Sequence, residues 1–211
     1  MPVTELATLP LAPGVSLADE GFRAKLLRSK IVMENALGIH GRRFAYYQST
    51  EDYDLLYLLG DWQSTGEHWE EFIPSPANQE LLELLKHDLD LPGIEMYHVD
   101  IPAAEVPTYA DTISIGWSQV RQDDQAGFEK KFSRYKEWAK DHFRQGRVPA
   151  GGWRIETAEG QQGFEQFVLI GGWEGVDAYL GFAKTESTEG CYHAQEFIES
   201  FDVKHGIRIG L

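Results

Sequence analysis

Apolar positions along the chain switch between a two-residue and a three-to-four-residue rhythm, and the switches divide it into elements. Val3 to Leu11 alternates loosely and predicts a strand, closed by Pro10 and by Pro13-Gly14. Phe22, Leu26, Met33 and Leu37 fall near helical spacing, so a helix is expected over 18–37, with Ser16 or Asp19 as N-cap and Gly38 beyond its end. Arg43 to Ser49 and Leu55 to Leu59 read as strands on either side of an acidic turn, Thr50 to Asp54. Ser64-Thr65-Gly66-Glu67 has capping-box spacing and opens a short helix through Phe72. Pro74-Ser75-Pro76 interrupts it, Pro76 suits the first turn of a helix over Ala77 to His87, and Ile94 to Ile101 is a strand.

After a linker, Pro102 to Pro107, the order repeats. Thr112 to Val120 alternates as a strand, and a helix over 125–145 carries Phe128, Phe132, Tyr135, Ala139 and Phe143 on one face. Trp153 to Thr157 and Phe164 to Ile170 form a strand pair, followed by a short helix from Trp173 to Phe182. A helix over 188–200 and a strand over Asp202 to Ile209 close the chain. Two buried-strand signatures, Tyr57-Leu58-Leu59-Gly60-Asp61-Trp62 and Val168-Leu169-Ile170-Gly171-Gly172-Trp173, occupy the same place in this order. Phe22 with Phe128, Phe72 with Phe182 and His98 with His205 stand at nearly the same offset. Residues 1–103 and 104–211 are therefore expected to be two βαββαβ repeats, the ferredoxin-like arrangement. One such sheet leaves an apolar face bare. The expected fold is α+β, two tandem ferredoxin-like repeats packed as a pseudo-dimeric α+β barrel.

The passage Gly172-Trp173-Glu174-Gly175-Val176-Asp177-Ala178-Tyr179-Leu180-Gly181-Phe182 resembles the Gly-Trp-Glu-Ser-Val-Glu-x-His-x-x-Phe pattern of the dimeric α+β barrel superfamily. Within it the chain is most similar to antibiotic-biosynthesis-monooxygenase-like proteins, particularly duplicated ones of fungal type. The first copy, Asp61-Trp62-Gln63-Ser64 through Glu67-His68-Trp69-Glu70-Glu71-Phe72, keeps the histidine and carries one extra residue between it and the phenylalanine. The second copy has Ala178-Tyr179 where a histidine would stand. The resemblance implies a small cofactor-independent monooxygenase acting on an aromatic or polyketide-type secondary metabolite. The alternatives are a non-catalytic small-molecule-binding or assembly protein of the same fold, or a cyclase or isomerase in the same barrel.

Composition narrows the partners. A formal charge of −15 on 211 residues disfavours nucleic acid and anionic membrane surfaces, which are recognised through Lys and Arg. Residues 1–105 hold 7 basic against 18 acidic side chains and the remainder 12 against 16, so the excess sits in the first half. No run approaches the roughly 20 apolar residues that span a bilayer, and the N-terminus lacks a signal-peptide pattern. A cytoplasmic location is the expectation. The single cysteine, Cys191, leaves no intrachain disulfide framework and reads as a small core residue. A homodimer is compatible with the fold type.

The candidate chemistry is sparse. No dinucleotide fingerprint, phosphate-binding loop, Gly-x-Ser-x-Gly elbow or zinc-ligand spacing occurs, so neither a nucleotide cofactor nor a metal is expected. Haem stays open, because some members of the resembled superfamily hold it through one histidine. His68 is the expected catalytic base and His98 an auxiliary polar group of the same site: an imidazole exchanges protons near neutral pH, although each also suits a satisfied structural role. Trp62, Trp173, Tyr46 and Trp117 are expected to line a cavity for a small aromatic ligand, or else to fill the space between sheets. Of Tyr97 and His98, neighbours on one strand, only one can face a given cavity. His40, Arg42 and Arg43 form a basic cluster suited to a carboxylate or phenolate, or to a solvated loop.

Overall fold

A computed structural model describes residues 1–39, 41–142, 148–157, 163–186 and 196–211. Its strands are β1 (Val3–Pro10), β2 (Phe44–Ser49), β3 (Leu55–Trp62), β4 (Glu95–Val99), β5 (Thr112–Arg121), β6 (Ala150–Trp153), β7 (Phe164–Trp173) and β8 (Ile198–Arg208). Four α-helices, α1 (Glu20–Glu34), α2 (Pro76–Leu85), α3 (Gln125–His142) and α4 (Val176–Glu186), and a π-helix over Glu67–Phe72 accompany them.

The strands form one antiparallel sheet in the order β4-β1-β3-β2-β8-β5-β7-β6. Within each half the order is fourth, first, third, second, as in a ferredoxin-like sheet, and the halves join where β2 pairs with β8. The outer edges also meet. Val99 bridges Arg154, the Asp100 N–H donates to the Trp153 carbonyl at 3.0 Å, and the Ile155 N–H donates to the His98 carbonyl at 2.8 Å. The sheet therefore closes into an α+β barrel within one chain, which leaves few backbone groups unpaired at an edge.

Alternation along the strands sorts side chains to two faces. Leu6, Leu59, Ile113, Ile115, Val168 and Ile170 point into the barrel and none has measurable exposure, so the interior around them is filled with side chains. Val3, Ala7, Phe44, Tyr46, Leu58 and Trp62 point outward, where α1 and α2 cover them with Phe22, Leu26, Met33, Leu81 and Leu85. Tyr97 belongs to the interior set, so His98 faces outward beneath the π-helix.

Several boundaries differ from expectation. Asp19 is the N-cap of α1, accepting from the Gly21 N–H at 2.7 Å, and the helix ends at Glu34. A 3₁₀ turn follows in which Leu37 is left-handed, with φ of 57°, and exposed. β8 begins at Ile198, so the last expected helix does not extend to residue 200. His40, Phe143, Cys191 and residues 188–195 of that helix lie outside the described residues.

The seam between β4 and β6 depends on Gly152. A Cβ there would meet Ile101 Cγ1 at 2.8 Å and the Asp100 carbonyl carbon at 3.2 Å. Gly152→Ala is expected to lower stability by about 1–3 kcal/mol, read as a lower urea midpoint with an unchanged slope.

Candidate functional site

The extra residue seen in the first copy of the Trp–Phe motif has a structural consequence. Between Trp173 and Phe182 the chain forms a regular helix, in which the Tyr179 N–H donates to the Gly175 carbonyl. Between Trp62 and Phe72 the additional residue is absorbed as a π-helix, with the Ile73 N–H donating to the His68 carbonyl at 2.9 Å, five residues back. Ser64 caps the turn by accepting from the Glu67 N–H at 3.1 Å, which realises the expected capping signal. Glu67 in turn grips Arg42 through both guanidinium nitrogens, at 2.5 and 2.9 Å. Arg42 also lies 4.8 Å from the Trp62 ring. The basic cluster is thus no solvated loop at Arg42: its charge is buried in an ion pair that pins the π-helix to the strand end.

The π-helix delivers His68 against the outer face of β4. His68 Nδ1 lies 2.9 Å from His98 Nε2, and His98 Nδ1 lies 2.6 Å from Glu156 Oε1. The His98 backbone N–H donates to Glu156 Oε2 at 2.7 Å, and the Trp69 indole donates to Glu156 Oε1 at 2.8 Å. On its other side His68 Nε2 stands 3.9 Å from Glu5 Oε2, which accepts from the Trp62 indole at 2.6 Å. Two indoles sandwich the His68 ring, Trp62 at 4.4 Å and 8° and Trp69 at 4.9 Å and 17°. Glu5, His68, His98 and Glu156 thus form a line from the core to the surface, drawn from β1, the π-helix, β4 and the turn after β6.

Electrostatics grade this line. Burial pushes the Glu5 carboxyl up to about 7, against smaller opposing effects from the Trp62 hydrogen bond and His98. Burial also pushes His68 down to about 3, helped by the neighbouring His98, so its ring is neutral at ordinary pH. Burial works to raise Glu156 but is outweighed by hydrogen bonds from the His98 ring and N–H and from Trp69, which bring it to about 2. An ionised Glu156 only accepts, so His98 carries its proton on Nδ1. With both rings neutral, His98 Nε2 accepts from His68 Nδ1–H, and His68 Nε2 turns a lone pair toward Glu5. The polarity of the line runs one way, from a carboxyl that titrates near neutrality to a carboxylate held ionised.

The second half repeats the strand part of this arrangement without the plug. Trp173 donates to Ser114 Oγ at 2.8 Å, as Trp62 does to Glu5. His205 on β8 is gripped by Glu51, its N–H at 3.0 Å and its Nδ1 at 2.7 Å, as His98 is by Glu156. Each histidine is thus held by a carboxylate from the hairpin turn of the other half.

The expected site residues are distributed accordingly. His68, His98 and Trp62 come together. Tyr46 lies under α1 with its hydroxyl 2.8 Å from Ser29 Oγ; Trp117 donates to the Tyr97 hydroxyl at 2.6 Å on the barrel's inner face; Trp173 belongs to the second half. A surface groove of about 440 Å³ is lined by Leu11, Pro13, Lys86 and Leu89. It starts six residues along β1 from Glu5, about 20 Å away, and takes no part in this cluster. Glu5 and Glu156 were missed. Glu5 had a readable signal, an acid on the same strand face as Val3, Ala7 and Leu9. Glu156 had none, because only barrel closure brings it to His98.

Among the described residues no helix is long and apolar enough to cross a membrane, and no group of three or more His, Cys, Asp or Glu is arranged to hold a metal ion. No protein-family model matches the chain, and no curated protein sequence does. Solved structures do match it. A protein provisionally assigned as a monooxygenase from Lactobacillus acidophilus aligns over 98% of this chain and 93% of its own, at 14% identity and a TM-score of 0.62. Another with the same provisional assignment, from Fusobacterium nucleatum, covers 99% and 93% at 8% identity and a TM-score of 0.65. An anthrone oxidase-like protein covers 99% and 92% at 8% identity and a TM-score of 0.61. At these identities the likeness is one of fold alone: the chain shares the α+β barrel of these proteins. A haem does not fit at His68 or His98. His98 has both ring nitrogens bonded, and the His68 ring is closed in by two indoles and Glu5.

Proposed function

We propose that this chain is a cofactor-independent monooxygenase-like enzyme for a hydroxylated aromatic or polyketide-type substrate, built from two copies of one ferredoxin-like unit. Two parallels support the duplication: the shared strand order, and the matched pairs Trp62–Glu5 with Trp173–Ser114 and His98–Glu156 with His205–Glu51. An electron-rich phenolate can itself reduce oxygen, so the protein's task is to take the phenolic proton and keep water away. The observation that carries the reading is the line in which His68, His98 and Glu156 are hydrogen-bonded in series and Glu5 stands 3.9 Å beyond His68 Nε2. A neutral imidazole can accept at one nitrogen while releasing from the other, so the line can move a proton between the buried carboxyl and the surface. Trp69, 36% exposed, lies between His68 and solvent and would have to turn aside for a substrate ring to replace it.

A second reading, a non-catalytic binding or assembly protein, is favoured by the burial of His68 and His98 and by the filled barrel interior. Oxygen uptake with an anthrone-type phenol separates the two. The enzyme reading expects uptake above the protein-free blank, lowered about 10²- to 10⁴-fold by His68→Ala through loss of proton transfer. No uptake above the blank leaves the non-catalytic reading, and uptake unaffected by that substitution would remove His68 from the chemistry.

A further inference from the structure

His205 presents a buried ring nitrogen that the fold leaves unsatisfied. The side chain lies on the outer face of β8, paired across the sheet with Ser114, and the residue is 7% exposed. Glu51 takes its Nδ1 and backbone N–H, and burial's upward pull on that carboxyl is outweighed by these bonds, so Glu51 is held ionised. The ring orientation and the proton on Nδ1 are therefore fixed by a residue from the opposite half. Nε2 is buried and has no hydrogen-bond partner among the described residues. A buried acceptor without a donor is costly, and native structures rarely keep one without a ligand or water to satisfy it.

The first half shows what satisfies it. There the equivalent atom, His98 Nε2, is met by His68 Nδ1, whose flat ring lies parallel to Trp62. Counted from the tryptophan, the position of His68 is taken in the second half by Tyr179. Its ring stands 4.4 Å from the His205 ring at 62°, and its hydroxyl does not bond Nε2. One half supplies its own ring-borne donor, and the other supplies a ring without one at that point.

We propose that His205, oriented by Glu51, is the hydrogen-bond acceptor of a second binding site, for a small planar phenol that enters beside α4 as Tyr179 turns aside. The phenolic O–H takes the place that His68 Nδ1–H holds in the first half, and Ser114, paired with His205 across the sheet, is a polar neighbour on the same face. This assignment stands apart from the oxygenase reading, because binding here requires no turnover at the Glu5 line.

The test uses the full chain labelled with ¹⁵N-histidine and p-nitrophenol as the probe. The His205 Nε2 resonance is expected at the position of an unprotonated nitrogen in the free protein. It then shifts saturably toward that of a hydrogen-bonded one as p-nitrophenol is added, while the His68 and His98 resonances stay in place. His205→Gln should weaken p-nitrophenol binding roughly five- to tenfold, the worth of one hydrogen bond, and Tyr179→Ala should tighten it. The proposal is overturned if Nε2 is already protonated without the probe, if no saturable shift occurs in the wild-type chain, if the shifts fall on His68 and His98 instead, or if His205→Gln binds with wild-type affinity.

Discussion

Replacing Trp62 with alanine is expected to lower the unfolding free energy by about 3–5 kcal/mol, the usual range for deleting a fully buried large aromatic. Trp62 has no exposed surface and joins the inner end of the first-half cluster to the core. Its indole donates to Glu5, its face stacks on His68, and its edges meet Phe44 at 5.5 Å and Phe72 at 4.9 Å. The Arg42 guanidinium lies over the same ring. The substitution therefore leaves a cavity and strips a buried carboxyl of its donor, and the two costs add. A urea-unfolding midpoint reads the loss; a change under about 1 kcal/mol would mean that the cluster collapses around the gap without cost. Trp173→Ala offers the internal comparison. Its indole meets Ser114 rather than a carboxyl, so the electrostatic part of the cost is absent there.

Glu5→Gln is expected to act in the opposite direction and to depend on pH. The folded protein holds the Glu5 proton up to about 7, whereas the unfolded chain releases it near 4.5. Between those values the folded state binds more protons than the unfolded state, so stability falls as pH rises, and above 7 the whole penalty is present. A raised pKa of this size corresponds to about 3 kcal/mol. Glutamine keeps an acceptor for the Trp62 indole and has nothing to ionise. The variant should match the wild type near pH 4.5, gain on it through the window, and exceed it by about 3 kcal/mol above pH 7. Glu51, Glu67 and Glu156 carry the reverse sign: their carboxyls sit below the usual range, so the stability they contribute is lost as pH falls below about 4.5. Wild-type stability should accordingly be greatest near the bottom of the Glu5 window. A wild-type curve that is flat from pH 4.5 to 7 would contradict the buried position of this carboxyl. What glutamate offers here that glutamine does not is an exchangeable proton, at a cost in stability, as acid–base sites commonly require.

The parts of this molecule that were readable beforehand are those set by local chemistry. Alternation and apolar runs placed seven of the eight strands, because a barrel with one face inside and one under helices patterns them; β6 was expected at Trp153 to Thr157 and lies at Ala150–Trp153, where two glycines carry no apolar pattern. Glycine and tryptophan at the ends of β3 and β7 marked equivalent corners, and Ser64 announced its cap. The closing strand was shortened at its start, because Phe197 and Ile198 have an apolar spacing that suits a helix as well as a strand. His68 and His98 were visible as candidates, but their contact depends on a π-turn, and a single extra residue does not say which hydrogen-bond pattern will absorb it. Glu156 and Glu51 were beyond reach for a different reason. Each is an ordinary acid in a hairpin turn, and its histidine lies in the other half of the chain, so the pairing exists only once the barrel is closed. Arg42 shows the same limit from the other side: two adjacent arginines look solvated until Glu67 is brought to one of them.

The most direct test of the proton line is the pH dependence of oxygen consumption with an anthrone-type phenol, measured above the protein-free blank for the wild type and for Glu5→Gln. Because Glu5→Gln should be at least as stable as the wild type above pH 4.5, its loss of activity cannot be ascribed to unfolding. The wild-type rate is predicted to rise with pH through a limb near 7, as Glu5 becomes able to accept a proton, and Glu5→Gln is predicted to lack that limb. No consumption above the blank, or an identical limb in both proteins, would contradict it.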